Sequence, residues 1–432
     1  MKNFLDKKFS ISSSSSTVQK EITAGFTTFI TMAYIIIVNP MMMSNAGMDY
    51  GASFVGTCLA AAVACILMGW YSNWPVGLAP GMGLNAFFTY TVVGEMGYSW
   101  EIALGSVFIS GVLFFLISVT KMRRWILDSI PLNMRIAMGV GVGLFICFVG
   151  LKIGGIIIQN EATYLSIGDF RQSETILAGL SFILIAILSI RNVPGSILIG
   201  IIIITLISIC LGKTEFNGFI SSPPSISPIF LKLDILGAFD IAMISVIISF
   251  LFVNFFDTTG TLIGVANQSQ LKQENGEIKN LNKALKADSS SSIFGTLLGC
   301  SPVTSYVESI SGVEAGGRTG LTAVTVGILF LLAIFASPIA SIVPPYATAG
   351  ALLFVSMLMF AGIKLIDWAD LTEVIPSLLT VISIPLTFSI ADGIGIGFVS
   401  LLLIKLFTGR YKDLNLGIIF IGIIFILKFM YL

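Results

Sequence analysis

Apolar stretches of about 17 to 25 residues recur along nearly the whole chain, each long enough to cross roughly 30 Å of hydrocarbon as a helix. Because lipid offers no partner to a free backbone N–H or C=O group, such stretches must make their hydrogen bonds internally. The composition agrees, since 56% of the 432 residues are hydrophobic and 11% are charged. The sequence therefore predicts an all-α polytopic membrane protein with no large separate soluble domain.

Composition also narrows the classes of function. The net charge is zero, so no basic surface indicates binding to nucleic acid. There is no histidine, which removes most transition-metal sites and the Ser/His and Cys/His catalytic arrangements. The five cysteines lie in apolar runs without Cys-x-x-Cys spacing, a pattern typical of buried small side chains. We expect no metal, no cofactor and no nucleic-acid partner.

The N-terminal residues 1–18 are predicted to form a cytoplasmic tail with a flexible run of serines. They lack the apolar core and cleavage site of a signal peptide, so the first span is expected to act as its own insertion signal. Lys7, Lys8 and Lys20 supply the positive charge that marks a cytoplasmic end. The sequence thus predicts a multi-pass protein of the cell membrane with its N-terminus in the cytoplasm.

Proline and glycine break two of the predicted spans. Pro75, Pro80 and Gly81 interrupt the third, and Pro302 interrupts the tenth, because proline removes a helical hydrogen bond and glycine weakens the helix. Broken helices at membrane depth are tolerated where they line a cavity, and they mark the midplane sites of transporters. We predict half-helices that begin near Gly81 and Val303 and meet at the centre.

The segment between the eighth and tenth spans is more polar than its neighbours. The sequence predicts a polar loop over residues 267–288, followed by a short apolar piece at 289–299. This interpretation leaves the ninth span shorter than the others.

Short motifs indicate that the chain is an internal duplication. The sequence Gly-Leu-Ala-Pro at 77–80 resembles Gly-Cys-Ser-Pro at 299–302, FVGLKI at 148–153 resembles FAGIKL at 360–365, and 190–197 resembles 390–397. Three matches in one order favour a repeat, and an odd number of spans makes it an inverted one. We predict about 14 spans, seven in residues 19–212 and seven in 237–409, with a connector at 213–236. Residues 410–432 are either an extra span or an interfacial helix.

Carboxylates lie inside two predicted spans. Asp257 sits within the apolar segment 249–264, and Glu308 follows the break in the tenth span. An ionised side chain near the bilayer centre costs about 3 kcal/mol even on the lenient insertion scale, so such residues usually face a cavity and mark a transport path. The hydroxyl groups of Thr28, Thr258 and Ser309 are further candidates for substrate binding.

These groups suit an uncharged planar heterocycle. A carboxylate accepts hydrogen bonds from ring N–H groups, and the backbone N–H groups at a half-helix N-terminus meet exocyclic oxygens or ring acceptors. Burial favours the neutral form of an unpaired carboxylate, so Asp257 or Glu308 could carry a proton inward with the substrate. Asn85, on the first half-helix, is either a packing amide or a substrate partner.

Four motifs carry a family resemblance: TAGFTTFITMAYIIIVNP, GLAPGMGLNAFF, FFDTTGTLIG and YVESISGVEAGGRTGLTAV. They resemble the azaguanine-resistance-type purine permeases, a branch of the nucleobase cation symporter-2 family, over essentially the whole chain. The resemblance implies a core domain of spans 1–4 and 8–11 (approximately 19–120 and 237–342). It also implies a gate domain of spans 5–7 and 12–14 (approximately 121–212 and 343–432).

The same resemblance implies a mechanism. Family members transport purines by proton symport, often as homodimers through the gate domains. An acid in span 8 and an acid or amide in span 10 hold the base, which places these roles on Asp257 and Glu308 in this chain. The first half-helix contributes Asn85 and, for stacking on the purine, Phe87. Hypoxanthine and guanine are slightly favoured over adenine.

Two alternatives from other classes remain open. An anion exchanger or channel would share the inverted-repeat fold, although two central carboxylates disfavour an anion. An intramembrane aspartyl protease could use Asp257 and Glu308, although the two acids do not belong to one motif. Saturable uptake without product chemistry separates transport from catalysis.

Overall fold

A computed structural model of the chain describes residues 2–120, 122–215, 218, 220–269, 271 and 278–431. In this part of the chain, nine helices are long and apolar enough to cross a membrane, and three further apolar helices are shorter. The protein is an integral membrane protein. Spans 1, 2, 4, 5, 6 and 7 are the helices Val18–Asn45, Tyr50–Leu67, Trp100–Val119, Leu132–Ile153, Ser173–Ile190 and Ser196–Cys210.

The second half repeats this order. Spans 8, 9, 11, 12, 13 and 14 are Ile241–Gln268, Leu281–Leu297, Gly320–Ala333 with Ser337–Ile342, Pro345–Phe360, Leu371–Leu386 and Ile390–Phe407. Short helices at Lys2–Phe9 and Met122–Ser129 precede spans 1 and 5. A hairpin of strands Ile157–Asn160 and Tyr164–Ile167 joins spans 5 and 6.

Spans 3 and 10 are broken, as predicted. Span 3 consists of strand Leu78–Pro80 and helix Met82–Ala86, which continues with wider turns over Phe87–Glu95. Span 10 consists of strand Val303–Ser305 and helix Ser309–Glu314. The two strands pair in antiparallel fashion. Their pairing satisfies backbone groups that would otherwise be free at membrane depth.

The predicted start of the second half-helix near Val303 is wrong. Val303 lies in the strand, and the helix begins at Ser309, directly after Glu308. The backbone between Pro302 and the helix is used for pairing: the Gly81 N–H donates to the Pro302 carbonyl (2.9 Å), and the Tyr306 N–H donates to the Gly77 carbonyl (3.0 Å). Extended backbone with good partners replaces a helix turn at this position.

Polar side chains cap several spans at their first turn. Asp49 accepts from the Ala52 N–H (2.7 Å), and Thr319 accepts from the Leu321 N–H (3.4 Å). Such side chains satisfy one of the N–H groups that a helix start leaves free. Thr17, Ser99, Asp240, Asp370 and Ser389 cap other helices in the same way.

The spans separate into two packed groups. Spans 2, 4, 9 and 11 pack together with spans 1 and 8, and strands of spans 3 and 10 lie between them, which is the core domain. Spans 5, 12, 13 and 14 pack together with spans 6 and 7, which is the gate domain. This grouping matches the two domains expected from the family resemblance, and their exact residue limits stay predictions.

The N-terminal segment packs against the core domain. The side chains of Phe9 and Ile11 are buried in a cluster with Leu321, and the Asn73 side-chain amide donates to the Phe9 carbonyl (2.9 Å). The predicted flexible serine run includes a short 3-10 turn at Ser12–Ser14. Phe9 and Ile11, which precede the serine run, supply the contact that the prediction missed.

The predicted polar loop at 267–288 is shorter than expected. Residues 270 and 272–277 of it lie outside the described residues, but helix Leu281–Leu297 already begins within its last part. Span 9 is therefore a helix of 17 residues. The prediction of a separate short apolar piece at 289–299 is wrong, because most of these residues belong to this helix. Asp288 lies inside the membrane-spanning fold rather than in a loop.

The C-terminal helix Leu416–Tyr431 runs antiparallel along span 14. At one end, the Asn415 amide donates to the Ser129 carbonyl (2.7 Å). At the other end, Lys428 Nζ lies 2.6 Å from Asp392 Oδ1 in the first turn of span 14. A helix that follows span 14 from end to end crosses the same depth, so this segment is arranged as an extra span.

Candidate functional site

A cavity of about 690 Å³ lies between the two domains. The core domain contributes one wall from spans 1, 3, 8 and 10, and the gate domain contributes the other from residues 132–142 and 355–365. The core wall includes Tyr34, Gly81, Asp257, Thr304, Tyr306 and Glu308. A volume of this size is typical of a small-molecule site.

Both predicted carboxylates open onto this cavity. Asp257 lies in the middle of span 8 with its side chain exposed to the cavity, and Glu308 is half-buried directly before the span 10 helix. This geometry agrees with the expectation from the sequence that Asp257 of span 8 and Glu308 of span 10 lie at one site. Each acid can present acceptor oxygens to a ligand between the domains.

Tyr34 is a site residue that the sequence analysis missed. It stands between the two helices of span 1, and its hydroxyl donates to Glu308 Oε1 at 2.6 Å. A hydrogen bond to a charged acceptor is among the stronger ones in proteins, so Tyr34 fixes the orientation of Glu308. The sequence signal for this residue was its place within the first motif, TAGFTTFITMAYIIIVNP.

The candidates on the first half-helix lie behind the cavity wall. The Asn85 side chain is fully buried, and its Oδ1 accepts a hydrogen bond from the Ser301 hydroxyl. Phe87 is also fully buried and packs edge-on against Phe250, with ring centroids 4.9 Å apart. Neither side chain is among the described residues that line the cavity. Their roles in binding stay predictions.

Thr28 and Ser309 hold span 10 against its neighbours. Ser309 Oγ accepts a hydrogen bond from the Gly77 N–H (3.0 Å). This bond joins the second half-helix to the residue that directly precedes the strand of span 3. The Thr28 hydroxyl is buried directly beside Gly312, where an added Cβ would lie 1.9 Å from it. Both therefore lie in contacts between spans rather than on the cavity surface.

Thr258 faces a third carboxylate, which the sequence analysis did not identify. Its hydroxyl donates to Asp288 Oδ1 (2.8 Å), and the Ser305 hydroxyl donates to Asp288 Oδ2 (2.6 Å). Asp288 is fully buried in span 9. Because lysines and serines flank Asp288 in the sequence, the sequence analysis predicted a polar loop for this segment. The signal available was the buried polar face that Asp288, Ser292 and Thr296 form at helical spacing.

Apolar side chains dominate the rest of the cavity. Met82, Leu84, Val142, Phe256 and Met359 are among its lining residues. A few polar groups in an apolar pocket give orientation and specificity to a bound small molecule. Arg135 of span 5 also lines the gate wall. In the described part of the chain, no cluster of residues suits a metal ion.

The cavity extends to one side of the membrane and is closed on the other. It reaches the start of span 5 and the end of span 12. Towards the opposite side, the Thr91 hydroxyl of span 3 donates to the Phe388 carbonyl between spans 13 and 14 (2.6 Å). The rings of Tyr90 and Phe388 also meet edge-on there, with centroids 6.3 Å apart. These contacts join core and gate and close that side.

The sequence profile of a family described as "Permease family" matches residues 19–396. The chain belongs to this family. It is 44% identical to the adenine permease AdeP of Escherichia coli over 99% of this chain and 96% of that protein. It is 41% identical to the guanine/hypoxanthine permease PbuG of Bacillus subtilis over 96% of this chain and 97% of that protein. These findings confirm the resemblance to nucleobase cation symporter-2 permeases, and the relatives are named as transporters rather than enzymes.

A solved structure shows the same fold. The transmembrane domain of the cyanobacterial bicarbonate transporter BicA superimposes with a TM-score of 0.65 at 15% identity, covering 86% of this chain and 96% of that chain. At this level of identity the likeness concerns the fold alone. It supports the inverted repeat with core and gate domains and does not extend to the substrate.

Proposed function

We propose that this permease imports purine nucleobases across the cell membrane by proton symport. The observation that carries the proposal is the pair of carboxylates, Asp257 and Glu308, that open onto one largely apolar cavity between core and gate. Relatives named as adenine and as guanine/hypoxanthine permeases support a purine as the substrate.

Asp257 and Glu308 bind the base through its N–H groups. A purine is flat and carries ring and exocyclic N–H donors. The carboxylate of Asp257 in the middle of span 8 and the carboxylate of Glu308 directly before the span 10 helix can accept hydrogen bonds from these donors. The apolar wall then covers its faces. Asn85, Phe87, Thr28, Thr258 and Ser309 support binding from behind, because each holds part of the wall in place.

A proton accompanies the base. Two ionised carboxylates in one cavity at membrane depth repel each other and are poorly solvated. One proton relieves both penalties, and its movement down the proton gradient drives uptake. A cycle that begins with proton binding at Asp257 or Glu308 from outside and ends with release inside couples the two fluxes.

The position of the cavity supports transport by alternating access. With the N-terminus in the cytoplasm, the start of span 5 and the end of span 12 face the cytoplasm, so the open side is the inner one. Outward opening requires the Thr91–Phe388 contact to part while the gate closes over the inner side. A homodimer through the gate domains stays a prediction, which the molar mass of the purified protein in detergent would test.

Transport of radiolabelled adenine, hypoxanthine and guanine tests the proposal in cells that lack their own purine permeases. We expect uptake that a protonophore abolishes and that Asp257→Asn removes. Asp413→Asn, an acid outside the cavity, is the matched control and should transport normally. The identities of 44% and 41% do not rank adenine against guanine and hypoxanthine, so this assay also selects the base. Absence of purine uptake together with bicarbonate uptake would favour the anion exchanger.

A further inference from the structure

A line of hydroxyl groups connects the cavity with the buried carboxylate of Asp288. The Thr304 hydroxyl faces the Asp257 carboxylate on the cavity wall. It also lies 3.0 Å from the hydroxyl of Thr258. Thr258 in turn donates to Asp288 Oδ1 at 2.8 Å. Two carboxylates are thus joined through two hydroxyl groups.

Asp288 has an environment that suits a proton site better than a purely structural acid. Its side chain is fully buried, and hydroxyl groups of Thr258 and Ser305 meet its two oxygens. Among the described residues no lysine or arginine forms an ion pair with it. A buried carboxylate without a cation is costly, and an asparagine could serve packing without that cost. Among the described residues, the ionisable group that interacts electrostatically with Asp288 is the carboxylate of Asp257.

We propose that Asp288 stores the coupling proton, which reaches it from Asp257 through Thr304 and Thr258. The inference rests on the proposed proton symport. The Asp257 O–H bond breaks as its proton bonds to Thr304 Oγ1, the Thr304 proton moves to Thr258 Oγ1, and the Thr258 proton bonds to Asp288. Both threonines end as hydroxyl groups, and the negative charge has moved from Asp288 to Asp257.

This transfer links the proton to the base. With the proton on Asp288, Asp257 is ionised and both of its oxygens accept N–H groups of the purine. When the proton returns to Asp257, one acceptor becomes an O–H donor, which weakens the contact with the base. The base then leaves to the cytoplasm and the proton follows from Asp257, so one proton and one base have crossed.

Purified protein in proteoliposomes separates this relay from simple binding. Three quantities are measured with the transported purine: equilibrium binding, counterflow exchange without a pH gradient, and accumulation driven by a pH gradient. Thr258→Val and Thr304→Val each remove one hydroxyl from the relay at nearly constant volume, and Thr304→Val leaves the hydrogen bonds of Asp288 untouched. Thr258→Ser also changes residue 258 but keeps its hydroxyl group. Thr296→Val, a buried threonine of span 9 that bonds its own helix, controls for the substitution itself.

In both valine variants we expect gradient-driven accumulation to fall at least tenfold further than equilibrium binding or exchange of the base. Thr258→Ser should recover that accumulation. Wild-type accumulation in either valine variant would overturn the relay, as would a folded Thr304→Val protein that loses exchange and accumulation to the same extent. If the wild type binds a purine but no gradient drives it, proton symport itself fails and the relay fails with it, which is a different result.

Discussion

Replacing Tyr34 by phenylalanine removes one hydrogen bond from the site and leaves the rest of the side chain in place. The Tyr34 hydroxyl donates to Glu308 Oε1 at 2.6 Å, while its ring is buried in the hydrophobic core. The bond holds Glu308 in one orientation before the base arrives, so without it the ordering of this side chain becomes part of binding and costs about 0.5–1.5 kcal/mol. Because each 1.4 kcal/mol corresponds to about a tenfold change in affinity, we expect the Kd for the purine to rise by about three- to tenfold.

Isothermal titration with the purified protein measures this change. Tyr50→Phe is the matched control, because the Tyr50 hydroxyl also donates one partly buried hydrogen bond, to the Ala340 carbonyl (2.7 Å), but Tyr50 does not line the cavity. Thermal unfolding should show that both variants fold. A Tyr34→Phe protein that binds the purine as tightly as wild type would refute the reasoning that Glu308 holds the base under the control of Tyr34.

Three further predictions concern the domains. Gly83→Val should lower uptake strongly, since an added Cβ would lie 2.2 Å from Val142 Cγ1 across the core–gate boundary; Gly179→Val, at an open position of span 6, should transport normally. Lys428→Glu breaks the ion pair with Asp392 and should lower the unfolding free energy by on the order of 2 kcal/mol, a value between those measured for exposed and for buried ion pairs. The double variant Lys428→Glu with Asp392→Lys exchanges the two charges and should restore the unfolding free energy. A C-terminal epitope tag should be reached by antibody from outside intact cells, whereas an N-terminal tag should require permeabilisation.

The membrane made much of this fold predictable from sequence. Lipid imposes helix length, apolar composition and internal hydrogen bonding, so the spans and the two breaks at proline and glycine could be read directly. The same constraint made Asp257 and Glu308 conspicuous, because an acid in an apolar span is rare. The structure places both on one cavity.

Features that depend on pairing between distant segments could not be read in this way. The strand at Val303–Ser305 forms because Leu78–Pro80 lies opposite and pairs with it. The sequence alone does not show this pairing, so it predicted the helix start near Val303 instead of at Ser309. Span 9 carries lysines and serines on a helix that the core buries, and its polarity hid Asp288. Phe87 was expected on the cavity, but the face of a half-helix that meets the cavity depends on the neighbours it packs against.

Movement of a proton together with the base is the central claim, and proteoliposomes that contain a pH-sensitive dye measure this movement directly. Addition of the transported purine to the outside, with no other gradient present, should acidify the lumen at the rate of purine uptake. The Asp257→Asn protein should show neither signal. Purine uptake without acidification of the lumen would contradict proton symport and the proton-carrying roles of Asp257 and Asp288.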